Sequence, residues 1–464
     1  MIKKKSDGSY EYGNLYRSED KVYPREVKGR FATLRRLAMF VLLGAFYFGP
    51  WLTWGGRQAI LFDMPTRKFY IFGMTLWPQD FIYLALLLII LAVALFFFTA
   101  LAGRVWCGFA CPQTVWTEAF TWIESAIEGD RNKRIKLDKG PWNFNKIWRK
   151  SFKQFCWILL ALFTGYSFVG YFSEIRTLST SLLTFTAGPW EWFWVLFYGF
   201  ATYGNAGFMR EQVCKYMCPY ARFQGAMFDH DTLIITYDTE RGEPRGGRRR
   251  GSDAKAQGLG DCVDCTMCVQ VCPTGIDIRE GLQYECIACA ACVDACDTIM
   301  DKVGSPRGLI RYTTERALEH KDYHLLRPRT IVYSMILLLL VGAMVSSMAL
   351  RKPVILDVIR DRNTLYRDVG RQGIENSYTI RVINKQNVDH NYKLSVSGIP
   401  GIEIQTDAEF SIAGESVFTL PISVTAPHEG SAGGNVIEFT LESTDGRGVT
   451  VIEENRFRGP TDEY

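Results

Sequence analysis

"DCVDCTMCVQVCPTG", residues 261–275, and "YECIACAACVDACDT", residues 284–298, set eight cysteines in two runs of one spacing. Cys262, Cys265, Cys268 and Cys272 follow C-x2-C-x2-C-x3-C and lead into Pro273. Cys286, Cys289, Cys292 and Cys296 repeat the intervals, with Asp297 where the second run would carry proline. Three thiolates this close clasp three irons of one cube, and the fourth reaches across to a neighbouring cube. The spacing therefore assigns Cys262, Cys265, Cys268 and Cys296 to one [4Fe-4S] cluster, and Cys286, Cys289, Cys292 and Cys272 to a second. Zinc sites instead pair two separated C-x2-C units. Two adjacent cubes form a short electron wire with no substrate of its own, so its partners lie at the two ends.

The rest of the 464-residue chain indicates where that wire is mounted. Hydrophobic residues make up 48% and aromatics 14%, with 30 Phe and 12 Trp, a balance that leans toward a membrane protein carrying soluble parts. A formal net charge of +4 gives no case for a nucleic-acid partner. The 13 cysteines are odd in number and end at Cys296, a distribution that suits metal or redox chemistry better than a disulfide scaffold.

Five stretches have the apolarity of transmembrane helices: 37–54, 81–102, 155–171, 192–208 and 330–350. The polar first thirty residues make the first span a retained anchor rather than a signal peptide. Lys and Arg crowd the N-terminal arm, the segment after the second span and the segment 210–329, while the alternate loops are poor in them. That asymmetry puts the N-terminus and the cysteine runs in the cytoplasm and the C-terminus outside. No histidine lies in any span, so a bis-histidine haem within the bilayer has no ligands.

A second cysteine pattern sits at the cytoplasmic edge. "RVWCGFACPQ" begins at Arg104 and "EQVCKYMCPY" at Glu211, so Cys107, Cys111 and Pro112 are echoed by Cys214, Cys218 and Pro219. Each C-x-x-x-C-P follows a helix pair, which suggests an internal repeat that brings four thiols together. Proline pushes the preceding cysteine out of α geometry. Soft thiolates at short spacing suit Cu(I), zinc or iron–sulfur iron, and a nearby electron wire favours a redox-active metal. A third cluster stays open, because C-x-x-x-C-P is also the tail of a cluster-binding run.

After residue 350 the composition changes to short alternating runs such as "SYTIRVIN", "VFTLPISVTAP" and "NVIEFTLEST". Their spacing suggests an immunoglobulin-like sandwich, read most simply as a docking module. The expected architecture is a multidomain one: an α-helical polytopic membrane domain of about five transmembrane helices, an inserted two-cluster bacterial-ferredoxin-like α+β domain, and a C-terminal immunoglobulin-like β-sandwich. Residues 1–36 form a cytoplasmic arm, 37–235 the membrane domain with four helices and both C-x-x-x-C-P motifs, and 236–260 a basic linker. Residues 261–329 form the ferredoxin-like domain, 330–350 the fifth span, and 351–464 the periplasmic domain.

In "PWLTWGGRQAILFD", "GRVWCGFACPQTVWTE", "CKYMCPYARFQ", "ITYDTERGEPRG" and the two cysteine runs, the chain resembles the cytochrome c oxidase accessory proteins of the CcoG/FixG/RdxA family along nearly its whole length. That resemblance implies a multi-pass polyferredoxin of the bacterial inner membrane. It implies a cupric reductase, making Cu(I) from Cu(II) for assembly of cbb3-type oxidase. Carried over, the copper-handling role falls on Cys107, Cys111, Cys214 and Cys218, with copper as substrate or transient ligand and the other eight cysteines as ligands of two [4Fe-4S] clusters. The implied partners are copper ion, an unidentified electron donor, copper chaperones or a transporter, oxidase assembly factors and membrane lipid; a homodimer is compatible. Two other readings stand beside it: an electron relay from a quinol or soluble donor to another acceptor, and a non-redox assembly scaffold.

Overall fold

Long apolar stretches have no hydrogen-bonding alternative to helix in a bilayer, and the computed structural model follows that rule. It describes residues 2–4, 10–12, 21–248, 257–319, 324, 326–362, 364–445 and 449–460. Part of the basic linker, residues 249–256, lies outside them. The chain forms two compact units, Met1–Val341 and Gly342–Tyr464.

In the first unit the principal helices are α1 (Arg30–Phe48), α2 (Phe81–Ala102), α3 (Val105–Phe109), α4 (Pro112–Glu128), α5 (Arg131–Lys139), α6 (Phe144–Val169), α7 (Ile175–Leu183), α8 (Pro189–Thr202), α9 (Pro219–Met227) and α10 (Ala291–Val303). α11 (Pro328–Ala349) runs on into the second unit. Among the described residues, four helical segments are long and apolar enough to cross a membrane: Arg30–Trp51, Pro78–Ala102, Phe144–Val169 and Pro328–Ala349. The stretch expected as a fourth span, 192–208, is α8 continued by π-helical turns at Tyr203–Met209. α6 begins eleven residues before its apolar stretch. Asn143 accepts a hydrogen bond from the Lys146 backbone at 2.8 Å and caps it, and its basic first turns then meet acidic partners on α4 and α5.

Close backbone approach joins α6 to α8. A Cβ on Gly165 would lie 2.2 Å from the Val195 carbonyl oxygen, so only glycine fits there. The loop after α1 folds into a hairpin and a three-stranded meander of Ile60–Asp63, Lys68–Ile71 and Met74–Leu76. Strands this short are below the length at which alternation announces itself. Buried Gln58 ties this loop to the far end of α6, donating to the Gly170 carbonyl and accepting from the Ile175 N–H.

The N-terminal arm is not free. The Arg25 N–H donates to the Gln270 carbonyl at 2.8 Å. Asp294 on α10 accepts from the first N–H groups of α1, Phe31 at 3.2 Å and Ala32 at 2.7 Å. The cysteine-rich region is thus clamped to the start of the first membrane helix.

The second unit is a two-sheet antiparallel sandwich. One sheet runs Val354–Arg360, Ile374–Asn384, Val417–Ala426, Glu403–Ile404, with Arg367–Asp368 at its side; the other runs Glu409–Ile412, His390–Ser397, Gly434–Ser443, Thr450–Arg458. Tyr378, Tyr392, Phe439 and Phe457 fill the space between them, as inward positions of alternating strands should.

Candidate electron-transfer site

Each cysteine run wraps a cavity. Cys262, Cys265 and Cys268 line one cavity together with Cys296 from the second run. Cys286, Cys289 and Cys292 line the other together with Cys272 from the first, and Cys268 stands on the shared side. The walls are otherwise largely apolar, with Met300, Leu309 and Ile310 beside Arg279 and Tyr237 around one cavity, and Ile235, Ile276 and Ile278 beside Thr274 around the other.

The loops carry backbone strain at matching places. Asp264 and Thr266 flank Cys265 with φ of 51° and 55°, and Ala288 and Ala290 flank Cys289 with φ of 53° and 57°. Left-handed geometry costs a non-glycine residue of order 1–2 kcal/mol, and four such residues persist only where the surroundings impose them. Among the described residues no three His, Cys, Asp or Glu side chains converge as they would on a single ion, and this holds for Cys107, Cys111, Cys214 and Cys218 as well as for the two quartets. Each quartet is instead spread around its cavity, as a four-iron cube requires. The donor set, the crossing of the fourth cysteines and the strained cradles all fit two [4Fe-4S] clusters.

The two C-x-x-x-C-P units adopt one local design. Cys107 sits in α3, and Cys111 is the extended N-cap of α4 with Pro112 at the first helical position. Cys214 lies in a π-helical turn, Val213–Met217, and Cys218 is the extended N-cap of α9 with Pro219 following. Proline accounts for both breaks: it suits the first helical position, and it excludes its predecessor from the helix. The units approach each other. Burial pushes the Cys107 thiol up to about 12, with Cys111, Cys214 and Cys218 adding to the effect and Arg104 opposing it. Burial likewise raises Cys214 to about 11, with Cys111 and Cys218 contributing.

The four-thiol site lies against the second cluster cavity. Cys107 and Cys214 both pack on the cluster of Val271, Ile287, Cys289, Ala291 and Ala295. Gly108 lets the two backbones meet, for a Cβ there would lie 2.8 Å from the Cys289 Cα and from the Ala288 carbonyl oxygen. The order in space is therefore one quartet, the second quartet, then the four thiols.

Sequence reasoning did not find several residues of this junction. Arg104 is buried, and its guanidinium donates to the carbonyls of Tyr284, Ala221 and, at 3.4 Å, Cys286. Gln224 on α9 is fully buried; its Oε1 accepts from the Cys107 thiol at 3.4 Å, and its Nε2 has no hydrogen-bond partner. A polar group lying a few residues outside a cysteine motif has no spacing rule to announce it, and only the packed structure brings it in.

Comparison with known proteins agrees with this layout. Residues 209–315 match the family described as a 4Fe-4S dicluster domain, and residues 84–135 match a 4Fe-4S binding domain. Residues 344–460 match the immunoglobulin-like fold at the C-terminus of FixG. Protein RdxA of Cereibacter sphaeroides is 39% identical over 454 residues, covering 94% of this chain and 95% of that protein. Protein RdxB of the same organism is 41% identical over 428 residues, with coverages of 89% and 88%. The nitrogen fixation protein FixG of Rhizobium meliloti is 37% identical over 461 residues, again covering 89% and 88%.

Proposed function

The chain belongs to the FixG/RdxA/CcoG family of membrane iron–sulfur oxidoreductases, and on that premise we propose that it reduces Cu(II) to Cu(I) at Cys107, Cys111, Cys214 and Cys218 to supply copper for a cbb3-type oxidase. The contact of Gly108 with the Cys289 backbone carries this reading, because it sets a soft-sulfur site one residue from a cluster ligand. When bound, the two cubes supply one-electron storage and transfer. The chain does the rest. The four thiols offer ligands that hold Cu(I) better than Cu(II), so each Cu(II) that arrives takes up one electron and remains as the better-bound ion. The buried Arg104 cation favours electron arrival on either side of the junction.

The basic arm and cysteine-rich region face the cytoplasm in this account, and the sandwich domain faces the periplasm. Copper chaperones or a transporter receive the product, and the sandwich is a docking module for assembly factors.

One observation favours a second reading. The 4Fe-4S binding family matched at 84–135 takes in Cys107 and Cys111, which fits a third cluster at the four thiols. The test is anaerobic. Protein reduced by dithionite and freed of it receives Cu(II), and the cluster absorbance is followed beside Cu(I) trapped by a chelator. Copper reduction requires both signals to rise together, in equal numbers of electrons. Iron equal to three cubes per chain supports the third cluster, re-oxidation by a quinone with no copper requirement supports a relay, and no re-oxidation leaves a scaffold.

A further inference from the structure

A cavity of about 360 Å³ lies between α1 and α4, beneath the cluster-binding loops. That size suits a small organic molecule. Its wall includes both Cys289 of the second quartet and Cys214 of the four-thiol site, so the one cavity borders both sides of the junction. α1 presents Arg35, Arg36, Met39 and Phe40 to it, and α4 presents Thr117, Glu118, Thr121 and Trp122. Both sets follow helical three- and four-residue spacing, so two helix faces form the slot.

The slot has a polar end and an apolar mouth. Arg35 donates from Nη1 to the Cys289 carbonyl at 3.0 Å. Among the described residues its Nε is buried without a hydrogen-bond partner, and it stands 3.6 Å from Glu118 Oε2. At the mouth Phe40 is 61% exposed and Trp122 58%. Phe40 belongs to a membrane-length helix, so that side of the slot opens where α1 meets lipid, with Trp122 of α4 opposite it.

We propose that this cavity binds an isoprenoid quinol from the membrane and is where electrons enter the protein, an inference that rests on reading the chain as an electron-transfer protein. The quinol ring lies in the slot, one ring oxygen accepts from Arg35 Nε–H, and the tail leaves past Phe40 and Trp122. Glu118 takes a proton as the ring is oxidised. Both O–H bonds break, the ring leaves as the quinone, two protons are released, and two electrons pass by way of the Cys289 side. Two Cu(II) substrates become two Cu(I), so one quinol balances two copper ions. A phospholipid matches the apolar mouth but gives no reason for contact with both Cys289 and Cys214. A hydrated metal ion has no use for the mouth.

The test uses full-length protein in detergent, without copper. An azidoquinone is photolysed and its attachment mapped, and in parallel decylubiquinol is mixed with oxidised protein while cluster absorbance is followed. The label falls on α1 and α4 and is displaced by decylubiquinone. Thr121→Trp, which fills the slot, loses it. Glu118→Gln lowers the ratio of quinol-driven to dithionite-driven bleaching at least about tenfold, as expected for loss of a proton acceptor. The dithionite-reduced spectrum reports folding of each variant. Labelling elsewhere, displacement by phosphatidylglycerol as readily as by quinone, or an unchanged ratio in both variants overturns the proposal. Because copper is absent throughout, any of these results leaves copper reduction by dithionite-reduced protein to stand or fall by itself.

Discussion

Gly108 and Cys289 meet backbone to backbone, so closely that a methyl group on Gly108 would sit 2.8 Å from the Cys289 Cα. Neither partner is the flexible end of a side chain, so Gly108→Ala forces the four-thiol site away from the second quartet. Misplacement by about 1 Å can cost on the order of 100-fold in rate. The variant is expected to keep its iron and to lose copper reduction by at least about tenfold, measured as cluster re-oxidation after mixing with Cu(II). A normal rate would separate this contact from the electron path.

Arg104 is a buried cation at the junction, and it lowers the thiol pKa of Cys107, Cys214 and Cys286 against the larger, opposite effect of burial. A positive charge that favours a thiolate also favours an arriving electron. Arg104→Gln is therefore expected to lower the reduction potential of the nearer cluster by on the order of tens of millivolts, read by redox titration with EPR detection. The carbonyls it serves lose donors, so thermal stability falls as well. Only the potential shift separates an electrostatic role from a structural one.

Asp294 lies between two cluster cysteines in sequence and caps α1 in space. Asp294→Ala removes the acceptor for both N–H groups and costs about 1–2 kcal/mol. It leaves all eight cysteines of the two runs in place. A lower melting temperature in detergent with unchanged iron content is the expected outcome.

Glu124 on α4 is 1% exposed and faces Arg134 at 3.2 Å, Lys153 at 3.4 Å and Arg210 at 2.8 Å. Burial alone would raise its carboxyl; the cations of Arg210, Lys153 and Lys21 override it and hold the group at about 2. A folded value below the unfolded one of about 4.3 stabilises the fold above that pH. That contribution is lost as pH falls from about 4.3 toward 2. Glu124→Gln strands buried cations and should cost about 3–5 kcal/mol at neutral pH, and the variant should show a flatter stability profile below pH 4.3. Thermal unfolding across pH measures both.

The cysteine runs were legible because local spacing gathers three cysteines of each run around one cavity, and the structure sets Cys272 and Cys296 each in the wall of the other run's cavity. The long spans were legible as apolar length. α6 starts at Phe144, ahead of the apolar stretch, because Lys150 and Lys153 pair with Glu124, Glu128 and Asp138 while Lys146 donates to the Asp138 and Gly140 carbonyls, and hydropathy counts all three lysines against a membrane helix. The π-helical turns that carry Cys214 leave no periodic trace, and the short strands after α1 are too brief to register. Arg104, Gln224 and Glu118 act through neighbours a hundred or more residues away or on another helix, and no single-sequence pattern encodes such distances.

The most direct measurement is a stopped-flow comparison of reduced wild type with a variant in which Cys107, Cys111, Cys214 and Cys218 are all serine, mixed anaerobically with Cu(II) and scored against iron content. The account predicts that both proteins carry two cubes' worth of iron, that wild type makes Cu(I) as its clusters re-oxidise, and that the variant does neither on that timescale. Equal rates in the two proteins would contradict it, and so would a variant that has lost iron along with its thiols.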